Sequence, residues 1–164
     1  MASRAQVLIP VVIAAAIVGI AGVITIPSDS KLQSTEFPKG TIKVDNIVLE
    51  VEVADTDATR TRGLMFRDAL PYDKGMIFVF DDEQMRSMWM LKMRFPLDLI
   101  WFDGKGDVVH IEKNAPPCKS ALETAACTFK NADNKKAQYI LEVTAGFVDK
   151  FGITDKSKLQ IISI

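Results

Sequence analysis

A mainly β domain, sandwich or barrel, with one or two short helices behind a single N-terminal transmembrane helix, is what this sequence predicts. Three features carry the prediction. An uncharged apolar stretch opens the chain, short alternating apolar segments follow, and Gly-, Pro- and Asp-rich turns separate them. The length of 164 residues corresponds to about one domain. Lys and Arg total 20 against 21 Asp and Glu, so the chain lacks the basic excess by which phosphate-neutralising proteins hold nucleic acid.

The first element is Val7–Pro27, 21 residues without a charge. At 1.5 Å per residue a helix of about 20 residues crosses the hydrocarbon core. Backbone amides must be satisfied internally there, so the span is expected to be helical. Pro10 falls in the first turns, where proline costs little, and Arg4 is the only charge before Ser28. The flanking arginine places the N-terminus in the cytoplasm and the bulk of the chain outside the cell membrane. A cleaved signal peptide has a shorter apolar run and a small-residue cleavage site, which is not evident here. A soluble buried helix of this kind would need a larger protein to cover it. The expected organisation is an anchor over 1–27, a polar linker over 28–39 and an extracytoplasmic β domain over 40–164.

Within that domain, Thr41–Val44 and Ile47–Val53 alternate apolar and polar residues around Asp45-Asn46, a hairpin pattern. Asp55, Thr56 and Asp57 suit the cap of a short helix whose middle Gly63 would weaken. Gly75–Phe80 predicts a buried strand, and Asp81-Asp82-Glu83 a solvated turn after it. Ser87–Met90 and Leu97–Phe102 predict strands on either side of Pro96. Asp103–Gly106 predicts a tight turn into a strand at Val108–Ile111. Asn114–Lys136 reads as loop, Gln138–Val143 as strand and Gly146–Gly152 as a helical turn or two. Leu159–Ile164 closes the chain as an eighth strand.

Cys118 and Cys127 are the only cysteines. Outside the cytoplasm they would form a disulfide stapling the loop between them. The alternative is two buried free thiols; two Cys and one distant His do not make a four-ligand zinc site.

Four features bear chemistry. Arg60, Arg62 and Arg67 cluster around Gly63-Leu64-Met65, and guanidinium forks grip carboxylates or phosphates in two-point contacts. A solvated helix face would use the same residues structurally. Met85, Met88, Trp89, Met90 and Met93 supply thioethers suited to copper(I). On a strand, however, Met88 and Met90 share one face and Trp89 the other, so core packing accounts for them as well. Asp98 lies between apolar neighbours, where a carboxylate needs a partner, an arginine of the first cluster being one candidate. His110 is the only histidine and has no nucleophile signature beside it.

The runs Arg62-Gly63-Leu64-Met65-Phe66-Arg67, Gly75–Phe80, Trp89-Met90 and Phe95-Pro96-Leu97-Asp98 resemble domain-of-unknown-function family 192. Pro117-Cys118, Cys127 and Tyr139–Val143 followed by Ala145-Gly146 extend the resemblance over about 40–164. Where that family carries Lys-Asn after Trp-Met, this chain has Leu91-Lys92. The resemblance implies a small, mainly β domain, often anchored or secreted, and no established activity.

The functional expectation is therefore a membrane-anchored extracytoplasmic binding or accessory domain without catalysis, cofactor or metal. Arg62, Arg67, Trp89 and Asp98 are its expected ligand-binding residues. A small anionic or sugar-like ligand, or a membrane-protein partner, would suit that combination. The two alternatives are a cell-envelope hydrolase or isomerase, with Asp98, His110 and Glu142 as its only acid–base candidates, and a copper-handling domain built on the methionines.

Overall fold

The Asp45-Asn46 pair turns the chain between β1 (Lys39–Val44) and β2 (Ile47–Ala54), with Asp45 taking φ 52°. Their alternation buries Ile42, Val44, Leu49, Val51 and Val53 on one face. The computed structural model describes residues 36–118, 120–131 and 135–164. The anchor expected over 1–27 and most of the 28–39 linker lie outside the described residues. None of the described helices is long and apolar enough to cross a membrane.

After β2 the chain forms α1 (Asp57–Arg62) and returns as β3 (Lys74–Gln84), parallel to β2. This is the one parallel pair in a seven-stranded sheet whose order is β6-β5-β8-β3-β2-β1-β9. The other members are β5 (Leu97–Phe102), β6 (Val108–Ala115), β8 (Ala137–Thr144) and β9 (Leu159–Ser163). A second, two-stranded ribbon pairs β4 (Ser87–Trp89) with β7 (Thr128–Lys130). The fold is thus mainly β, as expected, with a mixed sheet and two short α-helices, α1 and α2 (Phe147–Phe151).

The sheet curls until its edge strands meet at one corner. Asp107 bridges Lys158, and the Leu159 amide donates to the Gly106 carbonyl at 2.8 Å. Gly106 has φ 82°, and a Cβ there would stand 2.2 Å from the Leu159 carbonyl oxygen, so this approach needs glycine.

Three expectations change. Asp81, Asp82 and Glu83 belong to β3 rather than to a turn. The register with β8 breaks between Val79 and Gln84 and resumes at Gln84–Ala137, so the acids are solvated while the backbone stays extended. Gly63 is not mid-helix: it ends α1 as its C-cap, with φ 45°. The stretch expected as loop over 114–136 contains a 3₁₀ helix (Ala121–Cys127) and β7, giving nine strands among the described residues where eight were expected. Short strands of mixed polarity such as Thr128-Phe129-Lys130 carry little periodic signal.

Alternation along the central strands creates two apolar clusters. One holds Ile77, Ile100, Phe102, Leu141, Val143 and the α2 residues Phe147 and Val148. The other holds Met76, Phe78, Leu97, Leu99, Trp101 and Ile140, packed against Leu64, Met88, Met90 and Met93. The candidate site opens on this second side.

Candidate functional site

α1 begins with a capping box: Thr56 and Thr59 each accept from the other's backbone amide, at 2.9 and 3.2 Å. The helix then presents Arg60 to β3. Its guanidinium donates to the Asp55 and Val79 carbonyls at 2.6 and 2.8 Å, and pairs with Asp57 at 3.0 Å. It also sits 5.2 Å from the Phe80 ring centre, with Arg86 at 4.0 Å from the same ring.

Opposite α1 stands the β4–β7 ribbon, where Trp89 pairs with Thr128. Met88 turns inward and Trp89 outward, as the strand parity predicts; Trp89 is 42% exposed. The Cys118–Cys127 disulfide forms, and both partners' backbones bracket Met90, whose carbonyl accepts from Cys118 and whose amide donates to Cys127. The ribbon is fastened at its outgoing end by this knot.

Between α1, the middle of β3 and the ribbon lies a groove of about 430 Å³. Phe78, Phe80, Met88 and Trp89 form its apolar walls, and Asp57, Arg60 and the hydroxyls of Thr61, Ser87 and Thr128 its polar edge. The volume falls in the range of small-molecule sites.

A much smaller cavity of about 10 Å³ adjoins it, sharing Arg60, Thr61, Phe78, Met88 and Trp89 with the groove. Glu142 of β8 reaches this cavity beside Arg62, Leu64, Met65 and Met93. Its parity puts it with Ile140, opposite Leu141 and Val143, so the carboxyl enters an apolar cluster. Glu142 is 3% exposed, and its Oε2 has no hydrogen-bond partner among the described residues. Burial pushes its pKa up to about 8, against a weaker opposing pull from Arg67. Near neutral pH the group is therefore largely a carboxylic acid carrying one O–H donor. Gly63 leaves room for it: a Cβ there would lie 3.4 Å from the Phe78 ring and 4.0 Å from Glu142 Oε2.

The four expected ligand-binding residues do not converge. Trp89 and Arg62 share the small cavity. Arg62 is buried and donates to the Met65 carbonyl; desolvation lowers its pKa, with Arg67 adding to the effect and Glu52 opposing it. Arg67 makes a two-point pair with Glu52, one contact being 2.8 Å, and lines a separate charged groove with Glu50 and Lys74. Asp98 lies on the other face of the sheet, 1% exposed, and accepts from the Asn114 and Val148 amides at 2.9 and 2.8 Å. Its partners are backbone amides holding β6 and α2, not an arginine. His110 pairs with Trp101 across β5–β6, the rings 5.1 Å apart.

Asp57, Arg60, Phe78, Phe80 and Met88 were not singled out as site residues by sequence. Their pattern is that of any short helix and buried strand, and only the crossover between parallel strands brings them together. Glu142 had a legible signal, being the sole charge in Tyr139–Val143.

A family model, DUF192, described as "Uncharacterized ACR", matches residues 40–161. Among solved structures, a protein from Sinorhizobium meliloti described as a "putative transcription regulator" superposes with a TM-score of 0.68 at 26% identity, covering 78% of this chain and 97% of its own. A protein of unknown function from Novosphingobium aromaticivorans gives a TM-score of 0.66 at 25% identity, covering 79% of this chain and 95% of its own. No curated protein matches.

Proposed function

The chain belongs to the DUF192 family of uncharacterised proteins, and we propose that it is a binding domain carried on the outer face of a membrane, taking a small, neutral, hydroxyl-bearing ring in the groove beside Trp89. The groove carries this reading. A half-exposed indole offers a flat apolar face, and the Asp57–Arg60 pair with three hydroxyls offers both acceptors and donors around it. A neutral ligand suits the groove better than an anion, because its rim arginine is already matched by Asp57 and Arg67 by Glu52.

The uncharged Val7–Pro27 stretch supports the anchor, and the Cys118–Cys127 disulfide supports an oxidising compartment. The description given to the Sinorhizobium protein is not carried over, since a net charge of −1 gives no electrostatic reason to expect nucleic acid. Hydrolase or isomerase chemistry would require a second acid–base group beside Glu142; Asp98 faces away from it and His110 does not line the groove. Met88, Met90 and Met93 are buried in one apolar cluster, which accounts for them without copper.

Saturation-transfer NMR of the full-length protein with millimolar glucose is expected to show ring protons receiving magnetisation. Trp89→Ala should abolish the transfer without lowering Tm. Silence in the unsubstituted protein sinks the ligand assignment. Protease added to intact cells should digest the β domain; its survival there would sink the outer placement.

A further inference from the structure

We infer that the small cavity behind the groove is a subsite for the acetamido group of an N-acetylated sugar, with the Glu142 carboxyl as the hydrogen-bond donor to the acetamido oxygen. The inference rests on the reading of the groove as a sugar site and names what lies at its inner end.

Three observations converge on it. First, Glu142 Oε2 is buried and unpartnered, and an orphaned buried polar atom costs more than a bound partner would. Second, the cavity holds little more than one small group, at about 10 Å³, and Leu64, Met65, Met88 and Met93 give it apolar walls. Third, it adjoins the groove through Phe78, Met88 and Trp89, so a ring lying on Trp89 can send one substituent inward. A hydroxyl sent inward would meet Glu142 but leave the methionines unused. An acetamido group meets both, because its carbonyl oxygen accepts one hydrogen bond while its methyl packs on thioethers. Methionine side chains readily adjust to admit it.

The donor must carry its proton. The charged groups around Glu142 are Arg60 and Arg62 on α1 and Arg67 beyond it, and arginine keeps its proton throughout the working range. From β3 and β5 the cross-strand partners are Met76 and Leu99, which do not titrate. Glu142, whose pKa is about 8, is therefore the group that changes across neutral pH.

The full-length protein is titrated with N-acetylglucosamine and with glucose, at about pH 6 and about pH 9.5, on either side of that transition. N-acetylglucosamine is expected to bind about tenfold more tightly at the lower pH, the scale of one buried hydrogen bond. The preference should shrink at the higher pH. Glu142→Gln, which keeps the shape and an N–H donor but does not titrate, should retain the preference at both. Equal affinities at the lower pH, with glucose still bound, overturn the subsite and leave the groove reading standing. So does an unchanged loss of preference with pH in Glu142→Gln. Failure of both sugars to bind overturns the groove reading together with the subsite.

Discussion

Two buried carboxylates sit on opposite faces of one sheet and have opposite fates. Glu142 has an unpartnered oxygen, and its pKa is raised from 4.5 to about 8 by burial. Between those values the folded chain holds a proton that the unfolded chain releases, so stability falls as pH rises through this window. The effect is on the order of 4 kcal/mol between about pH 4.5 and pH 8. Glu142→Gln should flatten that fall and raise stability at the alkaline end, read from urea midpoints across pH; an unaltered slope would show that Glu142 is not its source. Asp98, by contrast, is satisfied by the Asn114 and Val148 amides. Asp98→Ala strands both amides and should cost about 2–4 kcal/mol. Chemical denaturation measures that loss, while sugar binding per folded molecule should be unaffected. Both residues stand out in the sequence as lone charges in apolar runs. What the sequence does not carry is which face each one meets, because that follows from cross-strand register.

At the scale of elements, the groove owes its shape to α1 and the β4–β7 ribbon. The ribbon has three residues in each strand and depends on its fastening at Met90 and Cys118–Cys127. Reduction should loosen it, removing about 2–3 kcal/mol of restraint on the unfolded loop. We expect dithiothreitol to weaken sugar binding several-fold in calorimetric titration while far-ultraviolet circular dichroism holds steady. Full-strength binding after verified reduction would mean that the wall stands without its knot. The cysteine pair, the outward Trp89 and the inward Met88 follow from spacing and parity. The wall they build does not, because β7 is too short to show a period and the chain between Asn114 and Lys136 looks like loop. Gly63 likewise reads as a weak helix position until its place between α1 and the Glu142 cavity is known.

For the molecule as a whole, the strand-rich class and the Asp45-Asn46 hairpin are legible because alternation and turn residues are local signals. The parallel β2–β3 pair is not, since the order of strands in a sheet is set by long-range packing. That pair places α1 across one face and so creates the groove. The corner where Gly106 meets Leu159 has a further bearing on how such a domain behaves among its neighbours. A bare sheet margin invites foreign strands to zip onto it, a hazard wherever protein is crowded. Here the two margins clasp each other at that corner through Asp107 and Lys158, so recruitment by strand addition is obstructed there. A companion protein would more easily engage the loops and faces, and the domain gains some protection against fibrous self-association.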